Sequence, residues 1–444
     1  MSDATELLLP RWIATVEPGE PVLTDHALLI CGERIAALGP RDELLARHRT
    51  VPRRDLPDTL VCPGFVNAHT HAAMSLMRGF ADDLPLHDWL QKRIWPAEGR
   101  CVSPDFVYDG TILAGYEMLL GGTTCFNDMY FFPEQTTRAA QTLGMRAQIG
   151  IIVIDFPSPY GSGPDDYLRK GLALRDAQRG DPLLSFALAP HAPYTVSDDT
   201  FRSVTTLADE LQLPVHVHLH ETAFEVEDAV RQHGQRPFER LERLGLIGPS
   251  LMAVHAVHMN AQEIELLAAR GASVVHCPHS NLKLGSGIAP VGAMLAAGVN
   301  LAIGTDGSAS NNRLDLLQET RTAALLAKGA SANAAMFPAQ QALHAMTLGS
   351  ARAIGLEEHI GSLRVGKQAD LVAVDLKGPE MQPVFEPISQ LIYAADRRSI
   401  SHVWVAGKCV VEAQQLREEA AQQAVSEVVG RIPLWQNEIG EFFH

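Results

Sequence analysis

The sequence predicts an α/β protein: a (β/α)8 TIM barrel with a small composite β domain, a β-sandwich, formed from both termini. Three observations carry this. The two ends share a β-rich pattern, the middle holds eight short apolar strand candidates, and helix-period segments lie between those candidates. A chain of 444 residues has room for such a barrel and one further unit.

From Leu7 to about Leu60 short apolar runs alternate with turns, as in ALLICGERIAALGP, where the turn is CysGlyGluArg. Near the other end SLRVGKQADLVAVDL and SHVWVAGKCVVE repeat the style, each with a glycine and a lysine at the presumed hairpin turn. Neither end buries a core easily alone, so residues 1–62 and 359–444 are expected to pair, the latter adding a surface helix from Glu412 to Val429. The barrel is expected over 63–358, with strands GFVNAHTH, TTCFND, AQIGIIVI, LLSFALAPH, VHVHLHE, LMAVHAVH, SVVHCP and VNLAIGTD. The segment Asp105 to Leu120 reads as a helix with Phe106, Leu113, Tyr116 and Leu120 on one face, stopped by Gly121 and Gly122. An open doubly wound sheet would usually carry a glycine-rich phosphate loop after its first strand, and this sequence has none.

Hydrophobic residues make up 46% and charged residues 20%, a folded globular mixture. The net charge of −16 would repel a phosphate backbone or an anionic membrane, so a small molecule is the expected partner. Six scattered cysteines, an N-terminus unlike a signal peptide, and no apolar stretch near the ~20 residues of a membrane span suggest a cytoplasmic protein. Barrels of this kind are usually homo-oligomers.

Reactive residues of a parallel barrel collect at the C-terminal strand ends. Here those ends are unusually polar: His69 and His71 after strand one, His191 after four, His218 with Glu221 after five, His255 after six and Asp306 after eight. His69 and His71 are two apart, so both imidazoles point the same way on extended backbone. Alternation in strand five sets His216, His218 and His220 opposite Val215, Val217 and Leu219. A metal centre of His69, His71, His218 and Asp306 follows, with His216 and His220 as neighbours of the site and His258 structural.

AsnAlaHisThrHis, HisLeuHisGluThr, the His255 strand and GlyThrAspGly, in that order and spacing, resemble the amidohydrolase superfamily, specifically its cytosine-deaminase-like aminohydrolases. The resemblance covers nearly the whole chain and also implies the split β domain. Binuclear relatives bridge two ions with a lysine carbamate at the end of strand four. LSFALAPH has no lysine, so one divalent metal ion per chain is expected, with zinc the default for three imidazoles and a carboxylate and iron an alternative. Such an ion lowers the pKa of bound water from 15.7 to about 7. The resemblance then makes Glu221 the acid/base that carries the water proton to a ring nitrogen. Asp306 is both ligand and proton acceptor, and His255 orients the nucleophile. The plainer alternatives are a first-turn helix carboxylate for Glu221 and a satisfied buried histidine for His255.

The segment RGFADDLPLHDWLQKRIWPAE resembles the substrate loop of deaminases acting on 5'-methylthioadenosine and S-adenosylhomocysteine, in which a tryptophan and a glutamate nine residues later line the nucleoside pocket. Trp89 and Glu98 have that spacing, Glu98 suiting a ribose diol and Trp89 a thioether arm. Packing of a surface helix is the alternative for Trp89 and Trp95. His191 matches a histidine that contacts the nucleoside, and Arg169 is the candidate for a homocysteine carboxylate. His279 has no assigned role. The implied reaction is hydrolytic deamination at C6 of an adenine nucleoside, releasing ammonia and the inosine analogue. A triazine or free-base aminohydrolase or dechlorinase is the second reading. A non-catalytic scaffold is the third, although it should have lost ligands that this chain keeps.

Overall fold

The computed structural model describes residues 5–441. Eight parallel strands follow one another in sheet order: β1 (Phe65–Thr70), β2 (Thr123–Asp128), β3 (Arg146–Val153), β4 (Leu184–Pro190), β5 (Val215–Leu219), β6 (Leu251–His255), β7 (Ser273–His276) and β8 (Asn300–Ile303). Every residue of β1, β2, β3, β5, β6 and β7 is buried, as strands covered on both faces must be. The seam between β8 and β1 is closed beyond the ladder. Asn67 Oδ1 accepts from Thr305 N at 3.0 Å, Asn67 Nδ2 donates to Thr305 Oγ1 at 2.7 Å, and Asp306 N donates to His69 O at 3.0 Å. Gly304 permits this approach, since a Cβ there would lie 2.8 Å from His69 Cβ.

The terminal segments form one composite unit, as the sequence predicts. Its nine strands are hydrogen-bonded into a single mixed sheet, with Leu371–Asp375 from the C-terminal part antiparallel to Arg53–Pro63 from the N-terminal part. Leu8, Leu28, Ile30, Val61, Leu371 and Trp404 share an apolar cluster across the two parts. The sheet is tied to the barrel by a buried ion pair, Arg146 Nε to Asp370 Oδ2 at 2.9 Å.

The helix expected from Asp105 runs Pro104–Leu120, with Ser103 Oγ accepting from Phe106 N and Gly121 ending it. Two terminal expectations change. Residues around Gly366 and Lys367 do not form a hairpin, because their backbone groups bond instead to the N-terminal hairpin, Gly366 N to Ile35 O, Ile35 N to Lys367 O and Ala369 N to Glu33 O. The last helix spans Glu419–Gly440 rather than starting at Glu412. Residues 412–416 turn back as a hairpin instead, through Ala413 and Gln414 at positive φ. No helix among the described residues is long and apolar enough to cross a membrane.

Candidate active site

The candidate ligands come from the ends of three strands. His69 lies in β1 and His71 just after it, His218 lies in β5, and Asp306 follows β8. His69 Nε2 is 3.2 Å and His71 Nε2 is 3.3 Å from Asp306 Oδ1, while His218 Nε2 is 3.3 Å from His69 Nε2. Donors about 2.0–2.1 Å from a shared tetrahedral centre lie about 3.3 Å from one another, a spacing that His69, His71 and Asp306 approach as one group, while His218 joins His69 in a second group with His255, so the donor chemistry suits a small divalent ion.

The far side of each imidazole is engaged. His71 Nδ1 donates to Met129 O at 2.6 Å and His218 Nδ1 to His191 O at 2.7 Å, which leaves each Nε2 with a free lone pair. His69 Nδ1 faces His216 Nε2 at 2.8 Å. Burial pushes the His69 imidazolium down to about 4 and holds that of His218 well below its usual range, so both rings are neutral at pH 7, as metal ligation requires. Burial works against the Asp306 carboxylate, yet its hydrogen bond from His69 and the neighbouring imidazoles hold its pKa well below the ordinary value. Its Oδ2 accepts from Ser280 Oγ at 2.6 Å and Ser310 Oγ at 2.9 Å, and its Oδ1 from Gly307 N at 2.8 Å.

The backbone turns sharply here: His255 has φ +71°, Ala256 +49° and Asp306 +60°. Left-handed conformations of non-glycine residues cost of order 1–3 kcal/mol each and gather where a site over-determines them. His255 Nε2 lies 3.7 Å from Glu221 Oε2. Burial, reinforced by the Asp306 charge, pushes the Glu221 carboxyl up to about 8, so it is protonated at pH 7 in the metal-free protein. His71, His191, His218, Glu221, His255 and Asp306 all face one cavity, whose outer wall includes Trp89, Trp95 and Glu98.

Residues 60–410 match the pattern of the amidohydrolase family. The chain belongs to the amidohydrolase family. It is 44% identical over 429 residues (97% of this chain, 96% of the other) to a Teredinibacter turnerae protein named 5-methylthioadenosine/S-adenosylhomocysteine deaminase. A Saccharophagus degradans protein of the same name is 46% identical over 407 residues, 92% of this chain and 91% of that one. Among solved structures, an adenosine deaminase from Xanthomonas campestris with bound zinc is 49% identical, with a TM-score of 0.94 and 98% of each chain covered. Atrazine chlorohydrolase from Arthrobacter aurescens, complexed with zinc, is 26% identical, with a TM-score of 0.88 and 96% and 100% of the two chains covered.

In this amidohydrolase Trp89 and Glu98 reach one cavity by a route that spacing alone hides. Nine steps of uniform α-helix, about 100° each, would set them on opposite faces. The helical segment is interrupted by a π-turn at Leu90–Ile94, which absorbs about one residue and brings the pair to within about 80°. Glu98 Oε1 accepts from Tyr130 O–H at 2.7 Å, and burial pushes its carboxyl up to about 7. His191 stands with its ring 4.9 Å from that of His218, its Nδ1 3.0 Å from Thr195 Oγ1. Arg169 is not brought to the cavity. Its side chain is 69% exposed and pairs with Asp166 one helical turn away.

His216 is a neighbour of the site, as expected, backing His69. His220 is turned away by its φ of +54°, and its Nε2 accepts from Phe238 N. His258 Nε2 faces Ser286 O at 2.8 Å, a structural contact. Sequence reasoning missed Asn67, Tyr130, Ser280, Asn281 and Ser310. Asn67 was within reach of it, lying two residues before His69 on the same strand face. The serines and Asn281 carry no spacing signal toward the residues they hold.

Proposed function

We propose that this amidohydrolase is a metal-dependent deaminase of adenine nucleosides, acting at C6 of 5'-methylthioadenosine and related nucleosides and releasing ammonia and the inosine analogue. The observation that carries the reading is one cavity lined by His71, His218, Asp306, Glu221 and His255, with Glu98 and Trp89 also in its wall and His69 behind it, 3.2 Å from Asp306 and 3.3 Å from His218. Relatives named for this deaminase activity at 44% and 46% identity over nine-tenths or more of the chain support the same substrate class.

His69, His71, His218 and Asp306 would hold one divalent ion, zinc being the simplest choice for this donor set. When bound, it supplies a water acidified toward neutral pH and polarised for attack on an electron-poor carbon. Glu221 would deliver a proton to the ring nitrogen beside C6, offsetting the electron density that attack delivers. His255 keeps its proton on Nδ1, where Asn281 Oδ1 accepts at 2.8 Å, and leaves its Nε2 lone pair beside Glu221 Oε2 at 3.7 Å, where it would orient the nucleophile. The Asp306 carboxylate, ionised in the resting site, would accept a proton as attack proceeds and pass it to the departing ammonia, returning to the ionised form. Glu98, with one oxygen bonded by Tyr130, has acceptor capacity left for both ribose hydroxyls.

Ammonia release across 5'-methylthioadenosine, S-adenosylhomocysteine, adenosine, guanine and a triazine tests the reading. The adenine nucleosides should be turned over far faster than the last two. Preference for guanine or the triazine would overturn it.

A further inference from the structure

The one-turn helix Pro278–Lys283 follows β7 and presents three consecutive side chains to three different partners, since successive residues are spaced by about 100° around a helix. Ser280 Oγ donates to Asp306 Oδ2 at 2.6 Å, and Asn281 Oδ1 accepts from His255 Nδ1 at 2.8 Å. His279 is pinned to Glu319 through both its backbone N–H, at 2.9 Å to Oε1, and its Nδ1, to Oε2. Glu319 Oε2 also accepts from Asn311 Nδ2 at 3.1 Å, and the same amide reaches Thr305 O, the carbonyl just before Asp306, at 2.7 Å.

We propose that Pro278–Lys283 is a positioning helix for the reaction: Ser280 sets the orientation of Asp306, Asn281 sets the tautomer and aim of His255, and Glu319 fixes the helix through His279. Ser280, Asn281 and Glu319 are each at most 1% exposed, so the linkage is shielded from competing water. Asn281 argues against a purely stabilising role. Its Nδ2 is buried and finds no partner among the described residues, and an unmade buried hydrogen bond costs stability. What the residue supplies is the acceptor oxygen. A carbonyl oxygen cannot donate, so His255 must carry its proton on Nδ1, and the Nε2 lone pair then points toward Glu221. The proline-led turn thus holds one residue of the metal cluster and one residue outside it in a fixed mutual relation.

The proposal divides into two effects with separate readouts. Asn281→Leu should lower kcat roughly 10- to 100-fold with KM and bound metal near those of the parent, because only the aim of His255 is lost. Ser280→Ala should instead weaken metal affinity roughly 10- to 100-fold, read by chelator competition in the absence of any substrate. The kcat arm rests on the deaminase reading, whereas the metal arm does not, so failure of that reading and failure of this one are distinguishable. Either variant behaving as the parent overturns the proposal. So does a fall in melting temperature with kcat and metal affinity unchanged in the folded protein, which would reduce the helix to a staple. If Asn281→Leu does not fold, Ser280→Ala, which removes a single oxygen, decides the outcome.

Discussion

Replacing Glu221 by Gln should move activity and stability in opposite directions. Burial and the Asp306 charge raise the folded-state pKa of Glu221 to about 8 from an ordinary 4.5. Folding of the metal-free protein at pH 7 therefore takes up a proton on this side chain, at a cost of about 3 kcal/mol from 1.36 kcal/mol per unit over the gap between pH 7 and 4.5. Because the pKa is raised, this penalty is absent below about pH 4.5, grows as pH climbs, and levels off above about 8. An amide has nothing to titrate. Metal-free Glu221→Gln should thus melt higher than the parent at pH 8, by about a few degrees, with the difference closing near pH 5. Metal content should stay near that of the parent, since Glu221 lies outside the donor set, while turnover falls 100- to 10,000-fold with the proton donor gone. Thermal unfolding at the two pH values, metal analysis and ammonia release measure all three. His218→Ala supplies the contrast and should lose metal and activity together. If Glu221→Gln kept most of its activity, or shed its metal as His218→Ala does, the division of roles along HisLeuHisGlu would be wrong.

Glu98→Gln should raise KM for ribonucleosides, and 2'-deoxy analogues should be poor substrates of the parent, because a buried acceptor is left unpaired. Burial raises the Glu98 carboxyl to about 7, so the ionised form that best accepts from the diol accumulates above that pH; KM should fall between pH 6 and 8 in the parent and stay flat in Glu98→Gln. Metal analysis should find one equivalent per chain, and two equivalents surviving dialysis would contradict the single four-donor site. Arg169→Ala, which removes an exposed side chain paired with Asp166, should leave kcat/KM unchanged for every nucleoside, S-adenosylhomocysteine included; a selective loss on that substrate would restore Arg169 as a tail contact.

Much of the barrel and of the His/Asp cluster at its end could be read from one dimension because strand alternation and strand ends are local properties. His216 and His218 point inward as period two requires, and the polar residues after β1, β5, β6 and β8 all collect at one end of the barrel. That logic stops where the strand stops. His220 continues the written alternation, yet the chain leaves the ladder after Leu219 and its left-handed backbone turns the ring to Phe238 N. Trp89 and Glu98 were legible only by resemblance, since a π-turn that resets helical phase leaves no mark in hydrophobic spacing. Ser280, Asn281 and Glu319 were illegible for a different reason. Their partners lie 26, 26 and 40 residues away, and only the side-by-side pairing of β6, β7 and β8 brings them together. The hairpin anticipated at Gly366 failed because turn chemistry names a bend but not the strand that must answer it.

The most direct test of the account is ammonia release from 5'-methylthioadenosine by protein stripped with a chelator and then titrated with zinc. Stripped protein should be inactive, activity should rise to a plateau at one equivalent per chain, and each nucleoside consumed should give one ammonia and one methylthioinosine. Activity that survives stripping, that needs a second equivalent, or that fails to appear with any adenine nucleoside would contradict it.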